Sequence, residues 1–257
     1  MKKKTLLPLI ISGILIIIGK VGITDCNSRD FPIEGIGCWV QNNSSDNLLI
    51  YSDVFDWYIA HGNNLDNFIN KKNKPLFMAF GGKDVDKLIA TMKHYKSRII
   101  GVVWDYEEKG TPKNVAEKNL RSAHAAAKQL GLLFGVVVKP DPGLSLKVNG
   151  ISYADAASFS DFLMPMMYVQ WYQMKKDKME KLLEVQRSLT KLPIIAVIAL
   201  ETTMMKPPRK ITPSEIVTIY KRLPVDAFCV WNVKNLSDEY IQALSNIKDP
   251  KLMHKYK

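Results

Sequence analysis

From residue 33 onward the chain alternates short apolar, β-rich runs with amphipathic stretches of helical period, and no other feature constrains its fold as much. The candidate strands are Gly35–Gln41, Phe55–His61, Pro75–Gly81, Ile99–Tyr106, Leu132–Val138, Phe162–Gln170, Pro193–Leu200 and Ala227–Asn232. They are apolar almost throughout, as expected of parallel strands covered on both faces. Between them lie helical stretches at Ser45–Asp53, Asn64–Lys72, Val85–Lys96, Val115–Leu130, Tyr153–Ser158, Lys176–Leu189, Pro213–Arg222 and Ser237–Ile247. Gly131 stands where a C′ glycine ends a helix, and Thr212-Pro213 and Ser237 stand where caps begin one. Eight β/α units in roughly 230 residues predict a (β/α)8 TIM barrel. A doubly wound open sheet is the alternative, but the G-x-G-x-x-G fingerprint is absent.

The first 26 residues are read apart from the barrel, which is assigned to 27–257. Lys2 to Lys4 followed by the apolar run Leu6 to Gly19 has the layout of an export signal. Lys20 follows at once and no A-x-A-like site marks a cut, so an uncleaved anchor stays open. The run is shorter than the ~20 residues that span a bilayer comfortably. Ile23-Thr24-Asp25-Cys26 loosely resembles a lipoprotein box, with Asp25 where a small residue is expected. In each case the barrel is expected outside the cytoplasmic membrane, secreted, periplasmic or anchored.

Composition narrows the chemistry. With 47% apolar and 24% charged residues the chain can bury a core. The net charge of +11 is spread along helix faces, as at Lys175, Lys176, Lys178 and Lys181, without the interleaved aromatics of a single-strand platform. A solvated basic surface is therefore expected, and no nucleic-acid partner. Three cysteines without a C-x-x-C pair and four scattered histidines predict neither a metal site nor a disulfide scaffold. Cys38 and Cys229, on the first and last strands, are expected as buried free thiols. No G-x-S-x-G elbow, H-E-x-x-H pair or phosphate loop occurs, and no cofactor is implied.

In a barrel of this kind the site lies where strands end. Strand four closes Val103-Trp104-Asp105-Tyr106-Glu107, and the period of two puts Val103, Asp105 and Glu107 on one face. Two acids in a confined apolar mouth repel, which raises one pKa toward that of a proton donor. Strand six ends Tyr168-Val169-Gln170-Trp171-Tyr172, so Tyr168, Gln170 and Tyr172 are expected inward, and Trp231 inward on strand eight. His61, Glu201 and the turn Asp141-Pro142-Gly143 are read as rim features, and Leu182, Leu183 and Val185 as a core stripe.

The order of these pieces resembles the glycoside hydrolase family 18 barrels, above all the plant class III, hevamine-like chitinases. Gly35-Ile36-Gly37-Cys38-Trp39-Val40-Gln41-Asn42 looks like their first strand, and Ala79-Phe80-Gly81-Gly82 is similar to the S-x-G-G motif of strand three. Ile100-Gly101-Val102-Val103-Trp104-Asp105-Tyr106-Glu107 resembles D-G-x-D-x-D-x-E, Val169-Gln170-Trp171-Tyr172 resembles V-Q-F-Y, and Trp231 matches the tryptophan of strand eight. The resemblance implies a retaining hydrolysis of β-linked N-acetylglucosamine glycans in which the substrate's 2-acetamido oxygen is the nucleophile. Glu107 would be the acid and base, Asp105 would orient the acetamido group, and Tyr172 would hold its carbonyl. Gln170, Tyr168, Trp231, Gly81 and Gly82 would bind the sugar. Ile100, Val103 and Ala79 depart from the pattern and remove the proton relay behind Asp105. That keeps a non-catalytic carbohydrate-binding barrel open as a second reading, and a muramidase-like, peptidoglycan-active barrel as a third.

Overall fold

Eight parallel strands form one sheet. They are β1 (Gly35–Val40), β2 (Trp57–His61), β3 (Leu76–Gly81), β4 (Gly101–Asp105), β5 (Leu133–Val138), β6 (Phe162–Pro165), β7 (Ile195–Ala199) and, after a small hairpin, β10 (Ala227–Trp231). This computed structural model describes residues 31–40, 53–62, 65–66, 74–106, 110–168, 176–202, 209–231 and 236–248, and the barrel unit begins at Phe31. The strand order is β6-β5-β4-β3-β2-β1-β10-β7. Two parallel bridges, Leu163 with Ile194 and Met166 with Val197, bring β6 back to β7. The expected (β/α)8 barrel is thus the observed one. The hairpin, β8 (Glu201–Thr202) against β9 (Arg209–Lys210), has no counterpart in the expected elements.

The strands are apolar on both faces because each face meets a separate core. An outer cluster, with Ile36, Cys38, Val102, Trp104, Phe134 and Val136, packs beneath the helices. An inner cluster fills the barrel, with Trp39, Trp57, Phe77, Val103, Val137 and Phe162 among its members. Its lower half is packed by matching large residues to glycines. Trp57 stands in register with Gly37, Phe77 with Gly101 and Phe162 with Gly135. A Cβ on those glycines would lie 2.4, 2.6 and 2.2 Å from the facing ring atoms. The absent side chains are the space the aromatics occupy, as dense interiors require.

Three aspartates fasten the opposite, amino-terminal rim, each one residue ahead of a strand. Asp56 Oδ2 accepts from Ile36 N, Asp161 Oδ2 from Phe134 N and Asp226 Oδ2 from Ile194 N. Each also meets a basic side chain on or at the end of a helix: Lys248 at 2.6 Å, His124 at 3.7 Å and Arg187 at 2.5 Å, respectively. The device ties adjoining strands and an outer helix at one point.

The helices are α1 (Val85–Tyr95), α2 (Lys113–Gln129), α3 (Pro142–Asn149), α4 (Tyr153–Ser158), α5 (Lys176–Leu189), α6 (Pro213–Arg222) and α7 (Asp238–Ile247). Gly131 follows α2 at φ +70°, as its position predicts. Thr212 and Glu215 close a reciprocal capping box on α6. Ser237 precedes α7 but its side chain makes no capping hydrogen bond. The expected turn at Asp141-Pro142-Gly143 is instead the start of α3. Asp141 accepts from Gly143 N and Leu144 N, Pro142 occupies the first turn, and Gly150 at φ +69° stops the helix. Val185 is also corrected: it is 46% exposed on α5, while Leu183 beside it is buried. The expected helices at Ser45–Asp53 and Asn64–Lys72 lie almost wholly outside the described residues.

Candidate active site at the carboxyl-terminal mouth

The inner face of each strand ends at the mouth, and parity sorts what it presents there. On β4, Val103 belongs to the inner cluster and Trp104 and Tyr106 to the outer, so Asp105 turns inward. Its side chain is half-buried, and Oδ1 is wholly excluded from solvent. Beneath it the floor is apolar. Val103 is fully buried, and its register neighbour Ala79 is buried on β3. At those two positions, where the resemblance to family 18 would place an aspartate and a serine, the side chains are apolar.

Tyr168 and Trp231 face the same space. Their rings stack at 5.3 Å with 19° between planes. β7 stands between β10 and the end of β6, and its buried terminal residue is Ala199, in register with Trp231. The small Ala199 side chain lets the two rings meet across it. Tyr168 does not arrive on a continuing strand, contrary to the expected run to Gln170. β6 ends at Pro165, with Met166 N still donating to Val138 O at 3.0 Å. The chain then curls, with Met167 N donating to Pro165 O and Tyr168 N to Met166 O.

On the other wall His61 ends β2. Its Nε2 accepts from Trp39 Nε1 at 3.3 Å, which places the imidazole proton on Nδ1. Burial lowers its pKa below the ordinary 6.5, so the ring is neutral at pH 7. Gly81 is in register with Asp105. A Cβ there would meet nothing closer than 3.9 Å, so its lack of a side chain leaves room and is not forced by packing. Gly82 is different: φ of +95° requires glycine, and its carbonyl accepts from Trp104 Nε1 at 2.8 Å. A cleft of about 840 Å³ opens beside these two glycines and runs along α1, past His61, Lys83, Lys87 and His94.

Of the expected site residues, the structure brings Asp105, Tyr168, Trp231 and Gly81 to one mouth and puts Gly82 at its rim. Glu107, Gln170 and Tyr172 lie outside the described residues. Glu201 pairs with Lys210 at 3.7 Å across the β8–β9 hairpin. Cys38 and Cys229 are free and buried, one in the outer cluster and one in the inner, with burial raising both thiol pKa values. Among the described residues no three His, Cys, Asp or Glu side chains gather as a metal site.

Sequence reasoning missed Lys139. It follows β5 on the inner parity of Val137, is 7% exposed, and holds Nζ 3.4 Å from Met166 Sδ. A lysine ending a strand reads as solvated. The available signal was the period of two through Gly135 and Val137, which aims it inward.

The sequence matches no family model and no curated protein. The fold is similar to a class V chitinase from Pseudomonas fluorescens Pf-5, at TM-score 0.67 and 11% identity over 83% of this chain and 99% of that one. It is similar as well to a chitinase from Chromobacterium violaceum ATCC 12472, at TM-score 0.66 and 9% identity over 84% and 99%. An endo-β-1,3-glucanase of family GH128 from Amycolatopsis mediterranei, in complex with laminaritriose, superposes at TM-score 0.59 and 12% identity over 83% and 99%. The architecture is therefore a (β/α)8 barrel of the kind found in these glycoside hydrolases. Because two of the three are named chitinases and the third an endo-β-1,3-glucanase, the shared backbone does not by itself choose a reaction.

Proposed function

We propose that the protein is a glycoside hydrolase that cleaves β-linked N-acetylglucosamine-containing glycans at the barrel mouth. One observation carries this reading: an inward carboxylate, Asp105, stands over an apolar floor in the same mouth as the Tyr168–Trp231 aromatic stack. An aromatic surface takes the apolar face of a sugar ring, and a shielded carboxylate orients a neutral amide and stabilises the cation that forms when the amide oxygen attacks. Glu107, two residues on along the same sequence period, is assigned the proton transfers: to the leaving oxygen first, and from water in the second step. The anomeric carbon–oxygen bond breaks as the acetamido oxygen bonds to that carbon, and water later reverses the cyclisation with retention. Tyr172 and Gln170 are assigned to the acetamido carbonyl and the sugar hydroxyls. The amino-terminal segment 1–26 is assigned to export or anchoring, which would put the barrel where such polymers occur.

Glu107→Gln tests the reading directly. Release of reducing ends from chito-oligosaccharides should fall by a factor of about 10² or more, with ligand affinity kept within a few-fold by calorimetry. Undiminished turnover in that variant would remove the assignment. A second reading, a barrel that binds glycans without cutting them, is favoured by Val103 and Ala79, apolar side chains at positions where the family 18 pattern carries an aspartate and a serine. Binding of chito-oligosaccharides by the wild type with no product after long incubation would select it, and any anomer-retained product would reject it.

A further inference from the structure

The apolar floor poses an electrostatic problem that the mouth answers on another strand. An apolar setting disfavours a carboxylate in general, whereas orienting an amide and stabilising a cation needs one, and Asp105 stands over the buried Val103 and Ala79. At the mouth the inward positions differ from strand to strand. Trp39 on β1, Gly81 on β3, Ala199 on β7 and Trp231 on β10 carry no charge. The titratable groups are His61 on β2, Asp105 on β4, Lys139 after β5 and Tyr168 after β6. His61 accepts a hydrogen bond at Nε2 and is neutral. Among the described inward residues at the mouth, Lys139 is therefore the basic side chain besides His61.

Its place is built. The Lys139 carbonyl accepts from Tyr153 Oη on α4 at 2.5 Å, and the next carbonyl, Pro140, accepts from Gln186 Nε2 on α5 at 2.7 Å. Tyr153 and Gln186 are both buried. Two helices thus fix the backbone on which the lysine stands, the support from behind that a precisely held group needs. The register of Trp104 with Val136 sets Asp105 level with Val137, so Lys139 is one inward step further up the adjoining strand. With ordinary strand spacing and rise the two Cα atoms are roughly 8 Å apart.

We propose that Lys139 is a positioning residue that holds the Asp105 carboxylate in its ionised form, acting from the wall of the mouth beside its apolar floor. A fixed charge at this range in a partly dry pocket moves a carboxyl's titration by about one pH unit. The inference rests on the proposed hydrolysis for its kinetic consequence, and on geometry alone for its effect on titration.

Two measurements on the full-length protein test it. Carboxyl ¹³C NMR, with Asp105→Asn giving the assignment, should show wild-type Asp105 titrating at or below the ordinary ~3.9 despite its burial. A midpoint above about 5 overturns the proposal without any Lys139 variant having to fold. In Lys139→Met, which keeps side-chain volume beside Met166, the Asp105 midpoint should rise by about one pH unit, and Lys139→Arg should leave it unmoved. If hydrolysis is present, the acid limb of the kcat/KM profile should move upward in Lys139→Met. Unmoved midpoints in that variant overturn the proposal. Absent hydrolysis with shifted midpoints would instead leave it standing and remove the reading of the protein as an enzyme.

Discussion

His61 couples the mouth to pH through stability as well as charge. Burial lowers its folded pKa below 6.5, so below that pH the unfolded chain takes up a proton that the folded ring resists. Its contribution is complete above pH 6.5 and is lost as pH falls from there toward the lowered folded value. Denaturant midpoints should therefore decline over that interval in the wild type and decline less in His61→Gln. The aspartates of the amino-terminal rim act by geometry. Asp226→Ala would leave the N–H of fully buried Ile194 without its acceptor and Arg187 without its carboxylate, though still bonded to the Leu192 and Pro224 carbonyls. We expect a loss of about 1–3 kcal/mol by chemical denaturation, with no change at the mouth. That the same device recurs at Asp56 and Asp161 was not visible in sequence, because aspartate before an apolar run also reads as a turn residue.

At the scale of elements, local chemistry accounts for most helix limits. Tyr153–Ser158, Lys176–Leu189 and Pro213–Arg222 begin and end where their caps and periodicity predict. Thr212→Ala should cost about 1 kcal/mol, since it removes the acceptor for Glu215 N and one half of the capping box. Glu215 adds an acid-side dependence. Its backbone hydrogen bond from Thr212, then the Thr212 side chain and Arg209, hold its pKa below 4.5. That contribution is full above pH 4.5 and fades as pH falls below it; thermal melts should show it and Thr212→Ala should weaken it. The helix that periodicity could not reveal is α3, whose buried residues are Ser145 and Asn149. With polar side chains on the inner face it has no apolar stripe to read, and only Asp141, Pro142 and Gly150 mark it.

At the scale of the molecule the barrel has one light seam. Seven strand pairs run in extended register, whereas β6 and β7 meet through two isolated bridges. Amides of β6 and β7 that face the seam should exchange faster than those of the β3–β4 and β1–β10 ladders, because fewer hydrogen bonds must open together. The lower interior should be unforgiving. Gly135→Ala sets a Cβ 2.2 Å from the Phe162 ring, which itself packs at 5.6 Å against Phe77, and should cost about 1–3 kcal/mol or more in urea denaturation.

The amino-acid sequence alone was enough to specify eight strands, because strands buried on both faces must be apolar throughout and their length and spacing survive in one dimension. It was also enough to aim Asp105 and Trp231 inward, since the period of two is a property of the backbone. Tertiary structure decided the rest. Gly37, Gly101 and Gly135 became sockets for Trp57, Phe77 and Phe162 only through register, a relation between strands that no single stretch contains. Lys139, which reads as solvated in one dimension, is buried for the same reason: its surroundings are supplied by Met166, Tyr153 and Gln186, 14 to 47 positions along the chain and adjacent only once the barrel closes.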